Sequence, residues 1–419
     1  MAGFMNRKSF IVSNLIVIFF LGSCNGVEKA TSYPEQSTST LPLLLTQTPT
    51  IQALCQTIPT APTPGPDEKS IFPAIDKADH VRGPVGANVT FVEYGDFQCP
   101  GCANLAPVLL QLEEKFSKDL QVVFRQLPLY DIHDKALLAA QAAEAAGDFG
   151  KFWEMHDLLY GQFELWKSMT PELFSSWVVE QASSIGLDKA IFAEKLTSQT
   201  ITSRVEKDLE LGLGIGLRTT PFLLINGQMY NGPRDYSSLD QIVRLILLGK
   251  SQFNSCPKLS IDPLKQYIAF IHTEKGDITI QLFPDKAPFA VNSFIFLASK
   301  GWYDNNTFYK VIPNSIVQTG DPSGTGLGGP GYLFQIETDQ SINFDSPGVV
   351  ALANSGMDTN GSQFFITLTP QPDLNGMYTI IGQVISGMDV LNKLTPRNPE
   401  NGITSPNGDL LISITISEK

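Results

Sequence analysis

Hydrophobic positions are distributed unevenly along the chain. Phe10 to Leu21 form a twelve-residue apolar run, broken only by Ser13 and Asn14 and preceded by Arg7 and Lys8. A bilayer span takes about 20 residues, so this run predicts the apolar part of an export signal over residues 1–23. From Thr31 to Pro66 no periodicity survives. Of these 36 residues 19 are Thr, Ser or Pro, and only Glu35 is charged. Seven prolines exclude a helix or a central strand there, so residues 24–70 are predicted to be an extended tether, reaching on the order of 100 Å.

Beyond the tether the pattern divides in two. Over residues 71–258, Val89–Tyr94 and Leu120–Phe124 read as strands. Leu105, Leu109, Leu112 and Phe116 mark one face of a helix. Further helices are predicted over Ala136–Ala146, Lys151–Tyr160 and Tyr236–Leu248, and Thr170-Pro171 reads as a cap and first residue of another. Residues 264–419 show short strand-like runs instead: Tyr267–Ile271, Ile278–Phe283, Phe308–Ile312, Val349–Ala353, Phe364–Thr367 and Tyr378–Val384. Turn pairs Lys275-Gly276, Asn360-Gly361 and Asn375-Gly376 punctuate them, and one helix is predicted over Ala287–Ser299. The expectation is a first domain mixing strands and helices, followed by a closed antiparallel barrel.

With 42% hydrophobic residues the chain has enough apolar mass for real cores. A net charge of −13 argues against nucleic acid as the partner, because duplex affinity comes largely from neutralising phosphates. Gly324–Gly329 lacks the strand-then-helix setting of a nucleotide loop. Neither a metal nor a cofactor is expected.

Five cysteines remain to be placed. Leu21-Gly22-Ser23-Cys24 resembles the bacterial lipobox. That resemblance implies a lipidated Cys24 and a mature chain anchored by lipid at the extracytoplasmic face of a cell membrane. Cys99-Pro-Gly-Cys102 sits where a strand ends and a helix begins. Unpaired N–H groups and the positive dipole end of that helix favour a thiolate at Cys99. A zinc knuckle would need a second ligand pair, which the scattered histidines do not supply. A structural disulfide is the other reading, and thiol exchange fits the order of elements best. Cys55 and Cys256 bracket this module, and in an oxidising location they are expected to pair.

The strand, Cys99-x-x-Cys102, the helices and Arg218-Thr219-Thr220-Pro221 together resemble the thioredoxin superfamily, in particular the DsbA-like thiol–disulfide oxidoreductases. The resemblance implies that Cys99 is the nucleophile and Cys102 the resolving thiol. Thr220-Pro221 would be the cis-proline loop beside them, and the domain would be an α/β thioredoxin-like fold with a helical insertion.

In the second block, Phe308–Pro313, Val317–Asp321, Gly324–Tyr332, Ala351–Asn354 and Asn360–Ile366 are similar to a cyclophilin. That family is an all-β closed barrel with capping helices and catalyses cis–trans rotation about X-Pro bonds. The resemblance assigns catalytic roles to Lys310 and Gln318 and substrate contacts to Ile316, Ala353, Asn354, Gln363, Phe365, Leu374 and Tyr378. Lys310 stands where the family has its catalytic Arg. Ser315, Ile316, Asp373 and Tyr378 replace a Phe, a Met, a Trp and a His. Taken together, the two resemblances imply a membrane-tethered folding factor that acts on exported polypeptides and exchanges electrons with a membrane redox partner. The alternative is a proline-binding module without turnover that presents clients to an oxidoreductase or reductase.

Overall fold

Val89–Gly95 is mostly apolar and buried on both faces, and such a strand must lie between neighbours. In the computed structural model, which describes residues 55–58, 70–399 and 408–419, it is the centre of a five-stranded sheet. The expected signal segment, Cys24 and most of the tether lie outside the described residues. The chain runs β1 (Cys55–Thr57), β2 (His80–Arg82), β3 (Val89–Gly95), α1 (Pro100–Lys115) and β4 (Leu120–Gln126). A helical insertion follows: α2 (Ala136–Gly147), α3 (Phe152–Gly161), α4 (Phe163–Trp166), α5 (Pro171–Ala182), α6 (Lys189–Leu196) and α7 (Gln199–Gly214). Then come β5 (Phe222–Ile225), β6 (Gln228–Tyr230) and α8 (Tyr236–Leu248). The sheet order is β2-β4-β3-β5-β6, with β3 and β4 parallel and the other pairs antiparallel. Thr170 caps α5 by accepting from Leu173 N, and Pro171 occupies its first turn. Seven buried alanines let α2 sit deep in the insertion.

The second module contains β7 (Tyr267–Thr273), β8 (Gly276–Leu282), α9 (Pro288–Ser299), β9 (Asn306–Thr307), β10 (Lys310–Ile312), β11 (Ile316–Thr319) and β12 (Tyr332–Phe334). It continues with β13 (Val349–Leu352), β14 (Phe364–Thr367), β15 (Ile380–Ser386), α10 (Met388–Leu391) and β16 (Leu410–Glu418). Nine strands form one curled antiparallel sheet in the order β10-β11-β14-β13-β15-β8-β7-β16-β9. Its inner face and α9 enclose the main core.

Three expectations change here. The barrel was expected to be closed, but among the described residues no ladder joins the end strands β9 and β10. Only Phe308 and Tyr309 connect them along the chain. Asn360-Gly361 is not an exposed turn. Asn360 is fully buried, exchanges backbone bonds with Phe334 and donates Nδ2 to Gln335 O and Thr379 Oγ1. Part of the expected tether is a strand, since β1 pairs with β12 of the second module. Cys55 is bonded to Cys256, and both lie against the second module's core.

Candidate functional sites

The thiol site is assembled by the junction of β3 and α1. Cys99 is the N-cap residue of α1, with extended backbone and no side-chain cap. Its thiol donates to the Thr220 carbonyl at 3.3 Å, and the Thr220–Pro221 bond is cis. Gly101 lets this loop approach: a Cβ there would lie 2.9 Å from Pro221 Cδ and 3.6 Å from Cys99 Sγ.

The hydrogen bond from the Cys102 thiol is the largest influence on Cys99 and helps hold its pKa down to about 5. Burial opposes it, while the Thr220 side chain and the N–H groups of Cys102 and Gly101 reinforce it. Cys102, fully enclosed, is pushed well above its ordinary value, chiefly by burial. The pair is therefore polarised into one ionised and one protonated sulfur. Both are free thiols here, and Cys99 is 7% exposed.

Glu93 lies beside Cys102 and was not picked out by the sequence. It is 1% exposed, and its two oxygens accept no N–H or O–H. Burial raises its pKa to about 8 despite the neighbouring Cys102 thiol. A carboxylate inside an otherwise apolar strand, VTFVEYG, was the available signal.

The second site lies on the curled sheet. Strand register sets Lys310 opposite Gln318, Gln318 opposite Phe365, and Phe365 opposite Ala351. These four residues thus share one row on one face. Next to the row, Ile316, Ala353, Leu374 and Tyr378 pack with Phe365 into one apolar cluster. Tyr378 meets Phe365 edge-on at 5.1 Å. Ala353 N donates to Gln363 O, and Asn354 Nδ2 donates to Met377 O at 3.2 Å. Ser315 is half-buried, and Asp373 is exposed in the short turn that also carries Leu374.

Gln318 Nε2 donates directly to Gln363 Oε1 at 3.2 Å, and Tyr309, which the sequence reading passed over, bridges the same two amides. Gln318 Nε2 donates to the Tyr309 hydroxyl at 2.6 Å, and that hydroxyl donates to Gln363 Oε1 at 2.5 Å. Gln363 Nε2 in turn donates to the carbonyls of Gly326 and Gly328 at 3.0 and 2.8 Å. Tyr309 is 3% exposed and therefore adds a second tie between two amides that are already bonded directly.

A family model described as cyclophilin type peptidyl-prolyl cis-trans isomerase matches residues 268–415. The Aspergillus fumigatus protein named peptidyl-prolyl cis-trans isomerase-like 1 is 46% identical over 125 residues, which is 29% of this chain and 78% of that protein. The chain belongs to the cyclophilin family.

A cyclophilin-type isomerase from Cryptosporidium parvum is 35% identical and is covered over 98% of its length by 36% of this chain, with a TM-score of 0.33. For the first module, a thioredoxin model matches residues 76–244. The oxidised BdbD of Bacillus subtilis is 24% identical, with 41% of this chain covering 94% of it at a TM-score of 0.35. The chain thus joins a cyclophilin module to a thioredoxin-like one. Among the described residues there is no group of three or more potential metal ligands, and no helix is long and apolar enough to cross a membrane.

Proposed function

We propose that the chain is a protein-folding factor that isomerises X-Pro bonds in its cyclophilin module and exchanges thiols and disulfides in its thioredoxin-like module. The observation that carries the isomerase reading is the row Lys310–Gln318–Phe365 bordering an apolar cluster. The reaction breaks no covalent bond, and its barrier of ~18–20 kcal/mol is lost amide resonance. A proline ring seated on Phe365, Ile316, Ala353, Leu374 and Tyr378 would leave its amide above the row. The Gln318 amide and the Lys310 ammonium would then stabilise the twisted form.

The thiol chemistry follows from the polarised pair. Cys99 thiolate attacks a client disulfide, forming a mixed disulfide and expelling the other client sulfur as thiolate. The ionised fraction of Glu93, a minority below about pH 8, takes the Cys102 proton, and Cys102 attacks Cys99 Sγ. The client leaves reduced and a Cys99–Cys102 disulfide remains; the reverse sequence oxidises a client. Disulfide exchange and proline rotation are both slow steps in folding, so the pairing suits exported, folding polypeptides as clients. A membrane redox partner would reset the dithiol. Lipidation at Cys24 would hold the chain at the extracytoplasmic face of the membrane.

Lys310 favours a second reading, proline-peptide binding without turnover, because an ammonium lacks the planar donor fork of Arg. A protease-coupled prolyl assay on the full chain separates the two. Turnover in the wild type that rises further in Lys310→Arg supports the isomerase. A silent wild type with turnover only in Lys310→Arg selects the binding reading.

A further inference from the structure

The cyclophilin groove depends on a loop that the thioredoxin-like module helps to hold. The two carbonyls that orient Gln363 belong to Gly326 and Gly328, in a segment with positive φ at Gly324, Gly326 and Gly331. Such a segment has few side chains with which to support itself. From inside, Asp321, fully buried, accepts from Ser323 N, Gly326 N and Gly328 N at 2.8, 2.7 and 3.0 Å.

From outside, the supports come from the end of the first module. Arg244 Nη1 donates to Ser323 O at 3.2 Å, Gln252 Nε2 to Gly329 O at 2.8 Å, and Phe253 N to Pro330 O at 2.8 Å. Leu248, the last residue of α8, belongs to the cyclophilin core cluster. Gly328 is caught between the two sides: a Cβ there would lie 2.1 Å from Asp321 Oδ1 and 2.6 Å from Leu248 Cδ2. Arg244 is itself fixed, since its guanidinium pairs at 2.8 Å with buried Asp240, which also takes Lys115 of α1 at 2.5 Å.

We propose that Arg244 and Gln252, though outside the cyclophilin module, are positioning residues for prolyl isomerisation. They fix the glycine loop, the loop carbonyls fix Gln363, and Gln363 passes that orientation to Gln318 directly and through Tyr309. The inference rests on the isomerase reading above. Removing either support would misorient the Gln318 amide and leave the apolar proline pocket untouched. The loss should therefore appear in kcat and not in KM.

The test uses the full chain and a proline tetrapeptide, with exchange NMR giving kcat and KM separately. Gln252→Met keeps the side-chain stem and removes only the donor. It should lower kcat about three- to tenfold, the effect of one lost hydrogen bond, with KM unchanged. The rate of Cys99 alkylation should not move. Arg244→Lys, which retains the charge, tests the same loop should Gln252→Met fail to fold, and it should lower kcat by less. A kcat within error of wild type in both folded variants, or a raised KM at unchanged kcat, would overturn the proposal. An inactive wild type would instead remove the isomerase reading itself.

Discussion

Replacing Glu93 by Gln should stabilise the thioredoxin-like module, and only above the acid range. Glu93 titrates near 4.5 when exposed and near 8 in its buried place. Between those values the native chain keeps a proton that the unfolded chain has released, so native stability falls as pH rises from 4.5 to about 8 and then levels off. Each pH unit in that window costs about 1.4 kcal/mol, so at pH 7 the penalty is roughly 3 kcal/mol. Gln has the shape of the protonated acid and carries no such penalty.

Calorimetry with the Cys99–Cys102 pair held in one redox state is the assay. The variant's transition should coincide with wild type near pH 4.5 and lie higher at pH 7, by roughly 2–4 °C for each kcal/mol. A gain of equal size at both pH values would show that the cause is not ionisation, and no gain at pH 7 would refute the buried-acid argument. The same variant should slow resolution of a mixed disulfide by about 10²-fold, the lower end of what a general base contributes. Alkylation of Cys99 should be unaffected.

The thiol pair gives an asymmetric prediction. Cys99→Ser should abolish exchange, whereas Cys102→Ser should accumulate mixed disulfides with clients on non-reducing gels. In the wild type, Cys99 alkylation should reach half its maximal rate near pH 5, and a midpoint near that of free cysteine would contradict the polarised pair. Tyr309→Phe removes the hydroxyl that bridges Gln318 and Gln363 and leaves their direct 3.2 Å bond. It should lower prolyl turnover about three- to tenfold, the effect of one lost hydrogen bond, and full retention of kcat would argue against the relay. Cys24→Ser should move the protein from the membrane fraction to the soluble one in a fractionation experiment, and continued retention would point to another anchor.

The elements most legible in the sequence were those with a strong local cause. Val89–Gly95, α1 and α8 follow from apolar period and length, and α5 starts where Thr170-Pro171 dictates. Less legible were elements whose cause is tertiary. β9 is only two residues long; β16, by contrast, alternates strictly from Ile412 to Ser417 and was a legible strand that the sequence reading passed over. Asn360 carries the composition of a turn, yet its donors satisfy buried acceptors, so a local rule mistook a core amide for a loop. Glu93 and Tyr309 were hidden for the same reason. A lone carboxylate in a strand, or a Tyr beside a candidate catalytic Lys, acquires meaning only from neighbours far along the chain.

The contact between the modules shows this most clearly. Gln252 follows a helix that reads as the end of one domain, and Cys55 lies in a stretch that reads as linker. Both are nevertheless built into the cyclophilin module, one through Gly329 and the other through β12 and Cys256. Composition marks where a chain changes character, but a folding boundary lies where buried contacts thin out. Here those contacts run on past Leu248 to Cys256. A cyclophilin fragment cut at residue 264 would lack Arg244, Leu248, Gln252 and the β1 strand, and would expose the outer side of its own glycine loop.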